Sequence, residues 1–190
     1  MSDFVIDTGT MVPQEKPLEP LPLYDENHPM LQREIPIYDL PLPNPNMSNL
    51  IKRMRMTMKK FGGIGLSANQ CGVFERVFII GTDDYELVCI NPQILNSSEQ
   101  INKSDEGCLS YPGLYLKIDR PMWLDVAFVN ENGIVENRRL EGLTARCFAH
   151  ELDHMNGKRF VDYVKPVALQ QARRKQEKMM KKVVRNFKKK

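Results

Sequence analysis

The chain has 190 residues, of which 42% are hydrophobic and 27% charged, a composition typical of a folded globular domain rather than a disordered chain. Its longest apolar runs are strand-sized, and its first residues lack the pattern of a secretion signal or transit peptide, so we expect neither a membrane nor a secreted protein. The net charge of +3 is divided unevenly, because residues 173–190 carry +9 and the preceding 172 residues carry −6. The sequence therefore predicts an acidic body with a basic tail.

Most of the predicted elements are short. Residues 9–46 are rich in Pro and predict an irregular N-terminal wrap. The apolar spacing from Met47 to Met58 predicts an amphipathic helix with a core-facing Met stripe, ended by Phe61-Gly-Gly. Strand-like runs follow at residues 77–80, 85–90, 114–118, 123–129 and 134–140, the last two joined by a turn at 130–133. A helix is predicted after Glu141-Gly142 to about residue 156, ended by Gly157, and another after Pro166. A block of strands followed by a helix predicts the α+β class.

The sharpest local pattern is the segment His150-Glu151-Leu152-Asp153-His154. On a helix, side chains four residues apart project from one face, close enough for two imidazoles to bind one divalent metal. Glu151 can lie beside the open position of the metal, where a carboxylate accepts a proton from water. The alternative is a helix whose histidines face solvent or make polar contacts in the core. The chain has three histidines, and two of them stand in this pattern.

A catalytic metal centre of this type needs a third protein ligand. The zinc-protease patterns complete the site poorly, because the residue where a third histidine would fall is Phe160, and the one later glutamate, Glu177, has a basic context. Cys108 is the better candidate, since Gly107 and Glu106 precede it at an expected strand edge after an irregular stretch. A free catalytic thiol paired with a histidine is the competing interpretation of Cys108.

The four cysteines form no CxxC pair, and we expect all of them to be reduced. Cys89 lies inside an apolar run and is predicted to be a core residue. Cys147 lies three residues before His150 on the same helix and is predicted to line the site. A thiolate with two imidazoles suits Fe(II), Zn, Ni or Co and excludes Mg or Ca.

Residues 62–70 form a third cluster, Gly-Gly-Ile-Gly-Leu-Ser-Ala-Asn-Gln. Its glycines let another peptide approach and pair with the backbone, and the carboxamide of Gln70 can donate to a developing oxyanion. The alternative is an ordinary glycine-rich turn. A phosphate-binding loop would need a following Lys and Ser or Thr, which are missing.

In this order the three segments, Gly63–Gln70, Glu106–Ser110 and His150–His154, closely resemble the motifs of the peptide deformylase family. The resemblance covers residues 28–164. It implies small antiparallel sheets packed around a central metal-binding helix, with a catalytic domain at 1–165 and a basic C-terminal helix appended at 166–190. It also implies one divalent metal per chain, with Fe(II) as the physiological metal and Zn, Ni or Co able to occupy the site. The implied metal ligands are Cys108, His150 and His154.

The activity that the resemblance implies is removal of the N-formyl group from formyl-methionine at the start of nascent polypeptides, with release of formate. Metal-bound hydroxide would attack the formyl carbon, and Glu151 would act as general acid and base. The Gln70 side chain and the Leu109 backbone N–H would stabilise the oxyanion. The rivals are a zinc peptidase and a non-catalytic, metal-stabilised RNA-binding module.

The resemblance places the peptide as an added strand against Gly63, Ile64 and Gly65. The pocket for the methionine side chain would be formed by Ile64, Glu106, Leu143, Cys147 and the ring of His150. Ser67 stands where Ala is commoner, a change expected to be neutral. Tyr115 stands where many members have an Arg near the second substrate residue, so the preference beyond methionine is open.

The resemblance further suggests an ion pair between Asp153 and Arg120 that fastens the ligand helix to the strand region carrying Cys108. The basic tail has two interpretations, a solvated helix packed on the body and an RNA-facing helix that docks on the ribosome. The expected partners are formyl-methionyl peptides and the ribosome, with no membrane and no DNA. The expected location is the cytoplasm, or the host cytoplasm for a phage protein. Deletion of residues 173–190 is expected to leave turnover of short peptides almost unchanged.

Overall fold

The computed structural model describes residues 17–81 and 85–187. Its helices are α1 (Pro45–Phe61), α2 (Gly142–Met155) and α3 (Pro166–Phe187), and its 3₁₀ turns are Pro29–Gln32, Ala68–Cys71 and Phe160–Tyr163. The strands are β1 (Gly65–Ser67), β2 (Val77–Gly81), β3 (Glu86–Ser97), β4 (Ile101–Cys108), β5 (Tyr111–Pro121), β6 (Trp123–Val129) and β7 (Val135–Glu141). Within these ranges no helix combines the length and the apolar character of a bilayer span.

Two antiparallel sheets flank helix α2. One has five strands in the order β1-β2-β3-β6-β7, and the other is the β4–β5 hairpin. Helix α2 contacts strands of both sheets. Its Phe148 is fully buried and meets Phe78 of β2 edge-on, with ring centroids 5.1 Å apart. The predicted α+β fold, with small antiparallel sheets around a central helix and a C-terminal helix, is confirmed.

Helix α1 has the boundaries that its end residues favour. The Asn44 side chain accepts a hydrogen bond from the Met47 N–H at 2.9 Å, and Pro45 occupies the first turn. Gly62 ends the helix in the left-handed region at φ 67°. The buried stripe consists of Met47, Ile51, Met54, Thr57 and Met58. The Met stripe is therefore core, as predicted.

The segment before Cys108, which the sequence indicated to be irregular, is strand β4. All residues from Ile101 to Asp105 are exposed, so no buried–exposed alternation marks this strand in the sequence. Pairing with β5, whose Leu114, Leu116 and Ile118 are buried, holds β4 extended. Strand β3 likewise runs to Ser97, beyond the predicted end at residue 90, and its exposed second half hides the strand pattern.

The N-terminal segment and the first half of α3 lie against this body. From residue 17 to residue 44 the chain is irregular apart from the turn Pro29–Gln32 and an isolated antiparallel bridge between Glu34 and Asn156. The rest of the predicted wrap, residues 9–16, lies outside the described residues. Helix α3 begins at Pro166, as predicted. Its half-buried residues are Leu169, Ala172, Arg173 and Gln176, which form one helical stripe. The remainder of α3 from Glu177 to Asn186 is exposed.

Candidate metal centre

Helix α2 presents two imidazoles one turn apart. His150 and His154 are 8% and 2% exposed, and their ring centroids lie 5.1 Å apart. Because both rings are buried, the alternative of solvent-facing histidines is wrong. The helix begins at Gly142 and is followed by Gly157 in the left-handed region at φ 67°, so its ends agree with the sequence pattern.

The fold brings a thiol to the same point. Cys108 ends β4, and its Sγ lies 3.3 Å from Nε2 of His154. One donor atom from each of Cys108, His150 and His154 lies within 4.8 Å of the other two. Cys89 is fully buried in the core, as predicted, and Cys147 is half-buried in the wall of the adjacent cavity. The neighbourhood of His154 thus distinguishes Cys108 from the other thiols.

Glu106 joins this centre to a buried network. Its carboxylate accepts hydrogen bonds from Arg120 Nε at 2.9 Å and Arg146 Nη1 at 2.7 Å, and it lies 3.1 Å from His150 Nδ1. Burial alone would raise the pKa of Glu106, but the hydrogen bonds with His150 and Arg120 lower it to about 2. An ionised carboxylate at Nδ1 leaves Nε2 of His150 as the lone-pair donor, which is the arrangement common to metal-binding histidines.

The predicted pair of Arg120 and Asp153 is confirmed. Arg120 Nη1 donates to Asp153 Oδ2 at 2.7 Å, and the Tyr163 hydroxyl donates to Asp153 Oδ1 at 2.9 Å. The guanidinium also lies over the Tyr163 ring, 4.7 Å from its centroid. Arg120 therefore fastens α2 to β5 while holding Glu106 against His150. The sequence did not predict the contacts of Arg146 and Tyr163, although Arg146 stands four residues before His150 on the same helical face.

Replacing Arg120 with Met should destabilise the protein strongly. Two buried carboxylates, those of Glu106 and Asp153, would lose a cationic partner, and breaking a buried pair typically costs about 3–5 kcal/mol. Thermal melts would measure this, with Arg139→Met as the matched control. Arg139 makes a bidentate contact with Asp125, but at an exposed site where a pair contributes about 0–1 kcal/mol. Equal losses of stability in the two variants would contradict the role given to Arg120.

Glu151 lies beside the donor atoms, on the side of β1. It is 5% exposed, and its Oε2 accepts a hydrogen bond from the Ser67 hydroxyl at 2.6 Å. A Cβ on Gly65 would overlap the Glu151 carboxylate, so the glycine creates the space that Glu151 occupies. Burial raises the pKa of Glu151 above its usual range. Ser67, which the sequence led us to regard as neutral, thus holds the carboxylate in place.

Gln70 and Leu109 also lie at the centre. Gln70 Oε1 accepts from the Ser67 backbone N–H at 2.9 Å, which orients the carboxamide. Its Nε2 donates to the Ser110 hydroxyl at 3.1 Å and lies 3.4 Å from Cys108 Sγ. Leu109 directly follows Cys108 in the turn between β4 and β5. An amide donor and a turn backbone therefore stand next to the three donor atoms.

These groups surround an open cavity of about 480 Å³. Every residue predicted for the site except His154 lines it: Gly63, Ile64, Gly65, Gln70, Glu106, Cys108, Leu109, Tyr115, Leu143, Cys147, His150 and Glu151. Ile64, Leu143 and Tyr115 are exposed at 42%, 64% and 63%, whereas the groups near the imidazoles are buried. The sequence segments far apart in the chain thus meet in one cleft.

The donor set fits a divalent metal. Burial alone would lower the pKa of His150, but hydrogen bonds to Cys108 and Glu106 raise it well above its usual range. The surroundings therefore favour a positive charge here, which a divalent metal would supply once it displaces the ring proton from Nε2. Burial and the neighbouring His150 lower the pKa of His154, which keeps its imidazole neutral, as a metal ligand requires. Fold and donor set define a small α+β protein with a candidate three-ligand metal centre at an open cleft.

Comparison with known proteins identifies the family. The family model described as polypeptide deformylase matches residues 20–170. A peptide deformylase from Synechococcus sp. (strain RCC307) is 42% identical over 126 residues, which are 64% of this chain and 63% of that protein. One from Cellvibrio japonicus (strain Ueda107) is 40% identical over 143 residues, 74% of this chain and 85% of that protein. The chain belongs to the polypeptide deformylase family.

Solved structures agree with this assignment. The crystal structure of a peptide deformylase from Synechococcus elongatus in complex with actinonin has a TM-score of 0.78 and 34% identity, and covers 83% of this chain and 86% of that chain. A peptide deformylase from Legionella pneumophila also has a TM-score of 0.78, with 32% identity and coverage of 87% and 98%. The structural similarity therefore extends over most of this chain and most of each of the two solved structures. The match to the Synechococcus sp. (strain RCC307) relative spans less than two thirds of that protein.

Proposed function

We propose that the protein removes the N-formyl group from nascent polypeptides that begin with formyl-methionine and releases formate. The observation that carries the proposal is the convergence of Cys108, His150 and His154 beside the buried carboxylate of Glu151 at an open cleft. Three ligands leave a position open for chemistry, and a fourth protein ligand would close a purely structural site. The proposed location is the cytoplasm, where formylated chains are made.

Cys108, His150 and His154 are the proposed ligands of one divalent metal. A metal held there supplies Lewis-acid chemistry, because it lowers the pKa of water and polarises a carbonyl oxygen. Thiolate and imidazole donors suit Fe(II), Zn, Ni or Co, and we propose Fe(II) as the physiological metal from the family resemblance. Glu106 supports the site by fixing the orientation of His150.

Glu151 is the proposed general acid and base. A cation at the neighbouring donors would favour the ionised form, against the burial that raises the pKa of this carboxyl. The ionised carboxylate accepts the proton of the attacking water and later delivers it to the leaving amine nitrogen. The hydrogen bond from Ser67 leaves one oxygen, Oε1, for these transfers.

Gln70 and Leu109 are the proposed oxyanion donors. The Gln70 carboxamide is fixed by the Ser67 N–H on its oxygen side, so Nε2 is oriented before a substrate arrives. The Leu109 backbone N–H supplies a second donor at the turn after Cys108. Donors fixed in advance stabilise developing negative charge without a reorganisation cost.

The cleft suits an extended peptide. Strand β1 lies at the edge of its sheet and pairs with β2 on one side, so Gly65 and the two residues before it, Gly63 and Ile64, can accept an added strand on the other. Main-chain pairing of this kind tolerates varied sequences. The methionine side chain would enter the space next to Ile64, Leu143 and Cys147, with Glu106 and His150 at its base. The exposed Tyr115 would meet the second residue.

The rival peptidase activity lacks its third ligand. Phe160 stands where a third histidine would be needed, is 2% exposed, and packs edge-on against Tyr111 with ring centroids 5.0 Å apart. Incubation with formyl-Met-Ala-Ser beside a casein control separates the two activities. Formate release without casein cleavage is the expected result, and casein cleavage without formate would favour the peptidase.

We also propose that residues 1–165 form the catalytic domain and 166–190 an appended basic helix that docks on the ribosome. The exposed side chains of α3 beyond Glu177 and the net charge of +9 over residues 173–190 support this, because basic residues bind phosphate chains in a salt-dependent way. The alternative function, a non-catalytic RNA-binding module, would give the carboxylate of Glu151 beside the proposed ligands no function.

Deletion of residues 181–190 should strongly weaken ribosome binding and reduce its salt dependence, while turnover of short formyl peptides stays unchanged. These ten residues carry six basic groups and no acidic group, and removing phosphate contacts lowers both affinity and salt dependence. A deletion from residue 173 is less informative, because Arg173 and Gln176 contact the body. Cosedimentation with ribosomes at low and high salt is the measurement. Equal binding by full-length and truncated protein would end the ribosome proposal.

A further inference from the structure

We propose that helix α3 positions the outer wall of the cleft, with Gln176 and Met179 as positioning residues for the part of a peptide that follows its first residue. The substrate in this inference rests on the proposed function. The contact between helix and wall rests on geometry alone.

The wall consists of residues 112–115, at the start of β5. All four residues line the cleft, and Pro112 and Tyr115 are exposed, whereas His150 and Glu151 at the inner end are buried. A peptide whose formyl group reaches the inner end must therefore leave the cleft past exposed residues such as these. The ring of Tyr115 packs across Gly107, where a Cβ would overlap it. The position of Tyr115 thus depends on how this segment is held.

Gln176 holds the wall by a directed hydrogen bond. Its Nε2 donates to the Pro112 carbonyl oxygen at 2.8 Å. Its Oε1 accepts from Arg173 Nη1 at 3.0 Å, so the carboxamide orientation is fixed from the other side. Arg173 is itself paired with Glu26 of the N-terminal segment, at 2.8 Å from Nη1 to Oε1. The chain of contacts runs from the N-terminal segment through α3 to the wall.

Met179 supports the next residue of the wall. Gly113 has φ +75°, and a Cβ at this position would overlap the Met179 methyl group, so the side chain packs directly on the Gly113 backbone. Leu169 and Ala172 continue the same helical face onto the cluster that contains Leu114. One face of α3 therefore contacts Pro112 and Gly113 of the wall directly and packs on the cluster that contains Leu114.

The alternative is that these contacts only attach α3 to the rest of the protein and have no effect on the wall of the cleft. Two substitutions of Gln176 separate the alternatives. Gln176→Ala removes both hydrogen bonds. Gln176→Glu keeps an acceptor for Arg173 but offers no donor to Pro112. If the wall contact matters, both variants behave alike; if fastening alone matters, Gln176→Glu behaves like the unsubstituted protein. Gln171→Ala is the matched control, because Gln171 is exposed on the same helix.

Steady-state kinetics of the metal-loaded full chain with formyl-methioninamide and formyl-Met-Ala-Ser test the proposal. We expect both Gln176 variants to raise KM for the longer peptide about 3- to 10-fold, with kcat and the shorter substrate unchanged. The reason is that the longer peptide must then order the freed wall as it binds, at a cost of about one hydrogen bond. Gln171→Ala should match the unsubstituted protein. Equal KM changes for both substrates, or unchanged KM for both in the Gln176 variants, would overturn the proposal.

Hydrogen exchange gives a readout that does not depend on activity. Backbone amides of residues 113–115 should exchange faster in both Gln176 variants than in Gln171→Ala, because the wall loses its tether. Unchanged exchange would overturn the contact role of α3. If the unsubstituted protein deformylates neither peptide, the proposed function fails, while the exchange rates still decide whether α3 holds the wall.

Discussion

Glu151→Ala should lower the rate of deformylation by a factor of about 10²–10⁴, the usual contribution of a general acid and base. The carboxylate lies beside the donor atoms but is not part of the group formed by Cys108, His150 and His154, so metal content should stay near one equivalent. Activity with formyl-Met-Ala-Ser, measured with metal content on the same sample, tests both statements.

The matched control for this variant is Glu141→Ala. Glu141 precedes the first residue of α2, is exposed, and makes no capping hydrogen bond with its side chain. Its removal should leave rate and metal content unchanged. Loss of metal in Glu151→Ala would show that Glu151 is a ligand, and an unchanged rate would remove it from the mechanism.

Cys108→Ser should lose metal and activity together. A serine hydroxyl is a much poorer ligand than a thiolate for Fe(II) or Zn, and the two remaining imidazoles make an incomplete site. Metal analysis after dialysis, run beside the formate assay, is the measurement. Full metal content with retained activity in this variant would refute the ligand assignment.

Cys89→Ser separates the ligand effect from the effect of any buried hydroxyl. Cys89 is 0% exposed and packs in the apolar cluster with Phe78 and Val126. Burying a hydroxyl without a partner there should reduce the free energy of unfolding by about 1–3 kcal/mol, while metal content and turnover of the folded fraction stay unchanged. A parallel loss of metal in both variants would mean that the Cys108 effect comes from stability alone.

The sequence was sufficient for features that local spacing encodes. His150 and His154 share a helical face because they stand four residues apart, and the C-terminal end of α1 follows from Gly62. The position of Cys108 beside them is a long-range feature, since it lies 46 residues before His154, and it could be predicted only because the three segments together resemble the motifs of a known family.

Features set by long-range packing were missed. Strand β4 is polar and exposed from Ile101 to Asp105, so its extended form comes from pairing with β5 and not from its own pattern. The contact of Arg146 with Glu106 joins residues 40 positions apart. The tail could be predicted as an amphipathic helix, but the surface that its inner face covers depends on the tertiary fold.

Stepwise addition of Fe(II) to metal-free protein, with formate release from formyl-Met-Ala-Ser as the readout, tests whether the chain is a metal-dependent deformylase. Formate release should be absent without metal, rise with added metal, and saturate at one equivalent per chain. Formate release at the full rate by the metal-free protein, or none at any metal content, would contradict it.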